Sequence, residues 1–149
     1  MNLPRVGIAA VVAWVVYLFV SYFVHAVLLA DVYLRHRAAM RPEEQANAIL
    51  PVGFLFALVG FFAFAYSYAK GYEGGSGLQE GLRFGVIVGI LLCCFAKIWE
   101  YMVWPVPGTL LAMWMLDLIV EFTLYGMIVG LVYRPKTVAV RPQSRSGLA

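Results

Sequence analysis

Four charged side chains lie inside two apolar segments in the second half of the chain, and their types and spacing are suited to chemistry. Lys97 and Glu100 lie in one segment, and Asp117 and Glu121 lie in the next. A charge at the centre of a membrane helix costs at least ~2.5–3.5 kcal/mol, so such a residue normally faces a bundle interior and has a partner. The four residues therefore predict a charged site inside a membrane-embedded bundle.

The spacing also predicts how these side chains pair. Asp117 and Glu121 are one helical turn apart, as are Lys97 and Glu100, so each pair shares a helix face. An antiparallel hairpin of the two segments brings Lys97 to the depth of Asp117. We predict that these two are nearest ionisable neighbours and that Glu121 lies within reach of the lysine. His25, in the first apolar segment, is predicted to line the same space.

Three kinds of chemistry remain open for this set. The ion pair is structural and locks the hairpin, or a carboxylate exchanges a proton for a bound solute. The third is a metal site of His25 with Glu100, Asp117 and Glu121, because histidine and carboxylates together suit iron, manganese or zinc. Lys97 would repel a metal cation and E-x-x-H spacing is absent. We predict neither a metal nor another cofactor.

Residues for covalent catalysis are poorly placed. Ser21, Ser67 and Thr123 are isolated, and no G-x-S-x-G sequence surrounds a serine. Cys93 and Cys94 are adjacent, so on a helix they point about 100° apart, and no C-x-x-C pair is present. The sequence therefore favours a protein that is not an enzyme.

The elements that must position these residues are membrane helices. The chain is 63% hydrophobic, whereas soluble domains are about 45–50% apolar. A helix of about 20 apolar residues crosses the hydrocarbon core, and four stretches are long enough. They are Val6–Ala30, Ile49–Ala69, Phe84–Trp104 and Thr109–Tyr133. We predict an all-α transmembrane four-helix bundle, with residues 1–135 as its single domain and residues 136–149 as a basic, flexible cytoplasmic tail.

The basic residues indicate orientation rather than a nucleic-acid partner, because they cluster at segment ends. One side of the predicted bundle carries seven of them: Arg5, Lys70, Arg83, Arg134, Lys136, Arg141 and Arg145. The opposite side carries three: Arg35, Arg37 and Arg41. Because Lys and Arg are enriched in cytoplasmic loops, both termini are predicted to be cytoplasmic.

The connecting segments have distinct compositions. Pro42 and two glutamates mark a helix start, which predicts a short amphipathic interfacial helix in the first external loop, with Pro51 at the start of the second span. Gly71–Gly77 is a glycine-rich connector without the lysine of a phosphate-binding loop. Trp104–Gly108 is a tight turn, because its prolines oppose helix continuation.

Small residues predict where helices pack closely. One stripe on the third segment repeats every four residues, and shorter stripes occupy the second and fourth segments. The glycines are Gly81, Gly85 and Gly89 on the third, Gly53 and Gly60 on the second, and Gly126 and Gly130 on the fourth. Besides the lipid bilayer, another copy of the chain or a larger membrane complex remains open as a partner for these faces.

Several motifs resemble those of an uncharacterised family of small bacterial four-span integral membrane proteins, of the domain-of-unknown-function type. They include the run Tyr68–Gly75, the run Glu80–Gly85 and the Pro105/Pro107 turn. The resemblance covers nearly the whole chain to about Pro135. It implies four helices and a bacterial inner membrane, and it implies no activity or cofactor.

Together these features predict a non-enzymatic membrane protein with a charged pocket in the outer half of its bundle, which binds or passes a small solute or proton. The alternative is a structural or accessory subunit of a larger complex, whose charges only lock the hairpin of the last two helices.

Overall fold

The computed structural model describes residues 1–133 and 135, which are almost entirely helical. The α-helices are α1 (Leu3–Tyr22), α2 (Ala30–Arg35), α3 (Glu43–Gly71), α4 (Gly77–Leu92), α5 (Ile98–Val103) and α6 (Gly108–Val132). Two π-helical segments, Phe23–Leu28 and Cys93–Lys97, follow α1 and α4 directly, and Arg37–Ala39 forms a 3₁₀ turn. The predicted tail 136–149 lies outside the described residues.

Four of the described stretches are long and apolar enough to cross a membrane: Leu3–Leu28, Glu43–Gly71, Gly77–Val103 and Gly108–Val132. They are numbered spans 1 to 4 below. Most of their large apolar side chains are exposed on the chain surface, as expected when lipid is the solvent. The prediction of an all-α four-helix bundle is confirmed, and the chain is a multi-pass membrane protein.

The connection between spans 1 and 2 differs from its prediction. A helix begins at Glu43, but it continues without interruption through Pro51 into span 2. Proline removes one backbone donor, a loss that membrane helices tolerate, so Pro51 does not separate an interfacial helix from the span. The short helix of this connection is instead α2, which starts soon after span 1 ends.

The helices pair unevenly around the bundle. Span 4 packs along α4, and α1 lies against both α3 and span 4. Ala9, Ala10 and Ala13 of α1 are fully buried in these contacts. In contrast, α3 and α4 meet closely near their shared loop, where the Phe64 and Phe84 ring centroids lie 4.8 Å apart. The bundle therefore leaves a space between α3 and α4.

The glycine stripe of span 3 explains the close pairing with span 4. A Cβ on Gly85 would lie 2.7 Å from the Thr123 Cα, and one on Gly89 would lie 2.8 Å from the Ile119 Cα. Gly81 and Gly126 likewise face each other's backbone, and Gly130 faces Gly77. The absence of side chains on this stripe thus allows the two backbones to touch.

The glycines of span 2 do not pack in this way. A Cβ on Gly53 or Gly60 would meet no atom within 4 Å among the described residues, so these two positions face open space within this chain. This differs from their predicted role in helix packing. The stripe on span 2 is therefore not a second close helix contact inside the monomer.

The glycine-rich loop between α3 and α4 is held by a buried carboxylate. Glu80, 8% exposed, accepts backbone hydrogen bonds from Glu73 (3.1 Å) and Gly75 (2.5 Å). Gly74 has a φ of 93°, a conformation that favours glycine. The loop is thus ordered by Glu80, a residue whose role the sequence did not indicate. We call this end of the bundle the glycine-loop end, and the end formed by residues 29–42 and 104–107 the first-loop end.

Candidate functional site

The space between α3 and α4 is a cavity of about 1500 Å³ that reaches the first-loop end. Its apolar and aromatic walls come from all four spans, and α2 and the following turn line its end. Four of the five predicted site residues line it: His25, Lys97, Asp117 and Glu121. The cavity is therefore where the structure brings the predicted polar residues together.

Two of these residues lie in π-helical segments. His25 belongs to Phe23–Leu28 and Lys97 belongs to Cys93–Lys97. A π segment inserts extra residues into a turn, rotating the side chains that follow, and such segments are frequent at functional sites. Two spans thus depart from regular α geometry at the positions that carry the polar side chains of the cavity.

Tyr33 of α2 connects span 1 to span 4. Its hydroxyl lies 2.7 Å from His25 Nδ1 and accepts a hydrogen bond from Trp114 Nε1 at 3.0 Å. Burial raises the pKa of the Tyr33 phenol above its ordinary value, so the hydroxyl keeps its proton. Because Trp114 can only donate, we infer that the phenol donates to Nδ1 and that the ring proton of His25 is on Nε2.

The other face of His25 meets a carboxylate. His25 Nε2 lies 3.7 Å from Asp117 Oδ2, and the Asp117 side chain is 16% exposed. This is beyond direct hydrogen-bond distance, but it is close enough for an electrostatic interaction between the two side chains. His25, rather than Lys97, is thus the basic side chain nearest to Asp117, and the two form an ion pair only when the imidazole is protonated.

The predicted Lys97–Asp117 pair is replaced by a pair within span 3. Lys97 Nζ lies 2.7 Å from Glu100 Oε2 and 5.5 Å from the Trp114 ring centroid. Glu100 is not among the cavity-lining residues. The physical reason is spacing, because Glu100 is three residues from Lys97 on the same helix face and gives the lysine a carboxylate partner on its own span. Among the described ion pairs, none crosses from span 3 to span 4.

Glu121 is the most deeply buried of the site carboxylates. It is 7% exposed, and its Oε2 accepts a hydrogen bond of 2.8 Å from the Tyr125 hydroxyl. Its Oε1 is buried and has no hydrogen-bond partner among the described residues. Tyr125 is itself fully buried, with its ring 6.1 Å from that of Tyr17 on span 1. An under-satisfied carboxylate therefore lies in the wall of the cavity.

The possible metal set does not converge. No group of three or more His, Cys, Asp or Glu side chains comes together in residues 1–133 and 135 in a way that would hold a metal ion. Instead, His25 contacts Asp117, Glu100 pairs with Lys97, and Glu121 accepts a hydrogen bond from Tyr125. Within the described residues, these side chains therefore do not form one shared ligand sphere.

Sequence reasoning missed three aromatic members of the site: Tyr33, Trp114 and Tyr125. A signal was present in Trp114 and Asp117, which are three residues apart and so share a face of span 4. No comparable signal marked Tyr33, because its partners are a residue in the preceding span and one far along the chain.

Fold and site together define a multi-pass, all-α membrane protein. It has a cavity between its helices that is lined by apolar side chains and by a few polar and charged ones. No family model, curated protein or solved structure matches this chain. The resemblance to bacterial four-span proteins stays a prediction.

Proposed function

We propose that this chain is a non-enzymatic membrane protein that binds or passes a small solute or proton through its cavity. The observation that supports this proposal is the cavity of about 1500 Å³, whose wall includes His25, Lys97, Asp117 and Glu121. Ligand sites are usually apolar concavities with a few convergent polar groups, and this cavity has that composition. Charged residues in membrane spans usually serve a transported or bound species.

The structural alternative has less support from the geometry. A hairpin lock requires an ion pair between spans 3 and 4, whereas Lys97 pairs with Glu100 on its own span. The hairpin is held by the glycine contacts, which need no charge. The charges at the cavity are therefore better explained by a ligand than by helix registration.

Access to the cavity is tested by single cysteines in a Cys93→Ala/Cys94→Ala background. Gly60 lines the cavity and Gly53 does not, and neither has an atom near its missing Cβ. We expect Gly60→Cys to react with the small neutral reagent 2-hydroxyethyl methanethiosulfonate about tenfold faster than Gly53→Cys, because a thiol reacts as its thiolate, which forms only where water reaches it. The measurement is the labelling rate in liposomes.

Gly53→Cys serves as the control for membrane depth. Gly53 lies nearer the first-loop end than Gly60, so if depth in the membrane alone set the rate, Gly53→Cys would be labelled faster. Equal rates, or faster labelling of Gly53→Cys, would mean that the cavity is closed to solutes and that the proposed function is incorrect.

For location, the proposal is the bacterial inner membrane with both termini in the cytoplasm. The support is the seven-to-three bias of Lys and Arg between the two sides of the bundle. Reporter fusions after Tyr133 and within residues 72–76 are expected to read cytoplasmic, and a fusion within residues 36–42 is expected to read external. An external reading for the fusion after Tyr133 would refute this orientation.

A further inference from the structure

We propose that the ligand of this cavity is a lipophilic organic cation, meaning one positive charge on a largely apolar or aromatic body. This rests on the proposed function, because it names the class of solute that the cavity binds. The charge would lie near Asp117 and Glu121, and the body would lie against the aromatic wall. Three independent features of the cavity lead to this chemistry.

The first feature is the aromatic wall. The rings of Phe61 and Tyr125 lie 5.1 Å apart, those of Tyr17 and Phe61 5.5 Å apart, and those of Phe64 and Phe122 5.6 Å apart. All five rings line the cavity. The faces of aromatic rings attract cations, and more strongly where water is scarce. An aromatic wall therefore favours a positively charged apolar body over a negatively charged one.

The second feature is negative charge without a matching positive charge. Asp117 and Glu121 lie one turn apart on the same face of α6, and both line the cavity. Among the described residues, the one basic side chain within 4 Å of either carboxylate is His25, at 3.7 Å from Asp117, and its imidazole is neutral in the tautomer inferred above. Lys97 also lines the cavity and its charge acts on Asp117, but the carboxylate that its ammonium contacts is Glu100, at 2.7 Å.

Glu121 strengthens this argument because it is incompletely satisfied. It is more than nine-tenths buried, its Oε1 has no hydrogen-bond partner in the described chain, and it takes part in no described ion pair. A buried carboxylate without a counter-charge is unfavourable, and either a proton or a cation in the adjacent cavity would relieve this. The unmet requirement of the wall is thus for positive charge.

The third feature is the direction from which a ligand can enter. The space lies between α3 and α4, which pack closely near the glycine-loop end, where Tyr68 donates a hydrogen bond to the Gly77 carbonyl at 3.3 Å. At the first-loop end the lining includes Arg37, Arg41 and Glu43. Arg37 pairs with Glu43 at 3.9 Å, which leaves the charge of Arg41 to oppose a cation approaching from water. A lipophilic cation can instead enter sideways from the bilayer, and this route selects for an apolar body.

A pair of probes with matched shape and opposite charge tests the inference. We expect tetraphenylphosphonium to bind the purified protein in nanodiscs of zwitterionic lipid at least about tenfold more tightly than tetraphenylborate, because charge is their main difference. Binding is measured by equilibrium dialysis against empty nanodiscs. The comparison uses the wild-type chain and so does not depend on a variant that folds.

A matched pair of variants then locates the charge. Glu121→Gln is expected to weaken phosphonium binding about tenfold or more and not to weaken borate binding, because removal of a negative charge favours an anion. Glu80→Gln is the control, because Glu80 is also buried but does not line the cavity, and its phosphonium affinity is expected to stay at the wild-type value.

Each remaining outcome overturns part of the argument in a distinguishable way. Equal affinity for the two probes, or tighter binding of the borate, would refute a cation site. Absence of binding by both probes would also refute it, while rapid labelling of Gly60→Cys would leave the proposed function standing. Equal losses of phosphonium affinity in Glu121→Gln and Glu80→Gln would refute the placement of the ligand's positive charge near Glu121.

Discussion

Gly85→Ala is expected to destabilise this protein strongly, although it adds a single methyl group. The new Cβ would lie 2.7 Å from the Thr123 Cα and close to the Phe122 carbonyl, and neither backbone atom can move without separating spans 3 and 4. Overpacking of this kind costs about 1–3 kcal/mol. Thermal unfolding of the detergent-solubilised protein should therefore show a clearly lowered Tm.

Gly53→Ala is the matched control for this prediction. Its Cβ would meet no described atom within 4 Å, and alanine is a better helix former than glycine by about 1 kcal/mol in soluble helices. The Tm of Gly53→Ala should therefore stay unchanged or rise. Similar losses in the two variants would show that helix propensity or detergent binding, rather than backbone contact, explains the effect at Gly85.

Tyr33→Phe is expected to lower the free energy of unfolding by about 1–3 kcal/mol, because it leaves the Trp114 N–H and His25 Nδ1 without their shared partner. The ring packing of Tyr33 against His25, at a centroid distance of 6.0 Å, is retained in phenylalanine. The loss should therefore report the hydroxyl alone. Denaturant or thermal unfolding measures the change.

The control is Tyr22→Phe, since Tyr22 is 68% exposed and close to the same π segment. Its stability should match that of the wild type. In addition, the ¹⁵N chemical shift of His25 Nδ1 should change in Tyr33→Phe and stay constant in Tyr22→Phe. An unchanged shift in Tyr33→Phe would mean that the phenol does not set the state of the imidazole.

The spans were predictable because hydrocarbon imposes a simple rule on the chain. Backbone groups in lipid must be paired internally, so a long apolar stretch has to be a helix whatever its neighbours are. This is why the bounds of the predicted segment Thr109–Tyr133 fall within one residue of those of span 4, Gly108–Val132. The same rule explains Pro51, since apolar surroundings favour a continued helix even where propensity opposes it.

The pairing of the charges was not predictable, because it depends on rotation about helix axes. A prediction of shared faces assumes about 100° per residue along the whole helix. Cys93–Lys97 is π-helical, so this assumption fails there, and the contact that Lys97 makes is with Glu100 of its own span rather than with Asp117. A π segment has no reliable sequence signature, so the direction of every side chain after it is a property of the folded bundle.

By itself, then, the sequence determined the four apolar helices, the glycine stripe at Gly81, Gly85 and Gly89, and the presence of charges that need partners. These features follow from the apolar composition of each segment and from the spacing of residues along a helix, both of which can be read directly from the sequence. Only the tertiary structure decided that α3 and α4 part to leave a cavity, and that Tyr33 contacts both His25 and Trp114, the latter 81 residues further along the chain. Such contacts depend on how helices are placed relative to one another, which local periodicity does not encode.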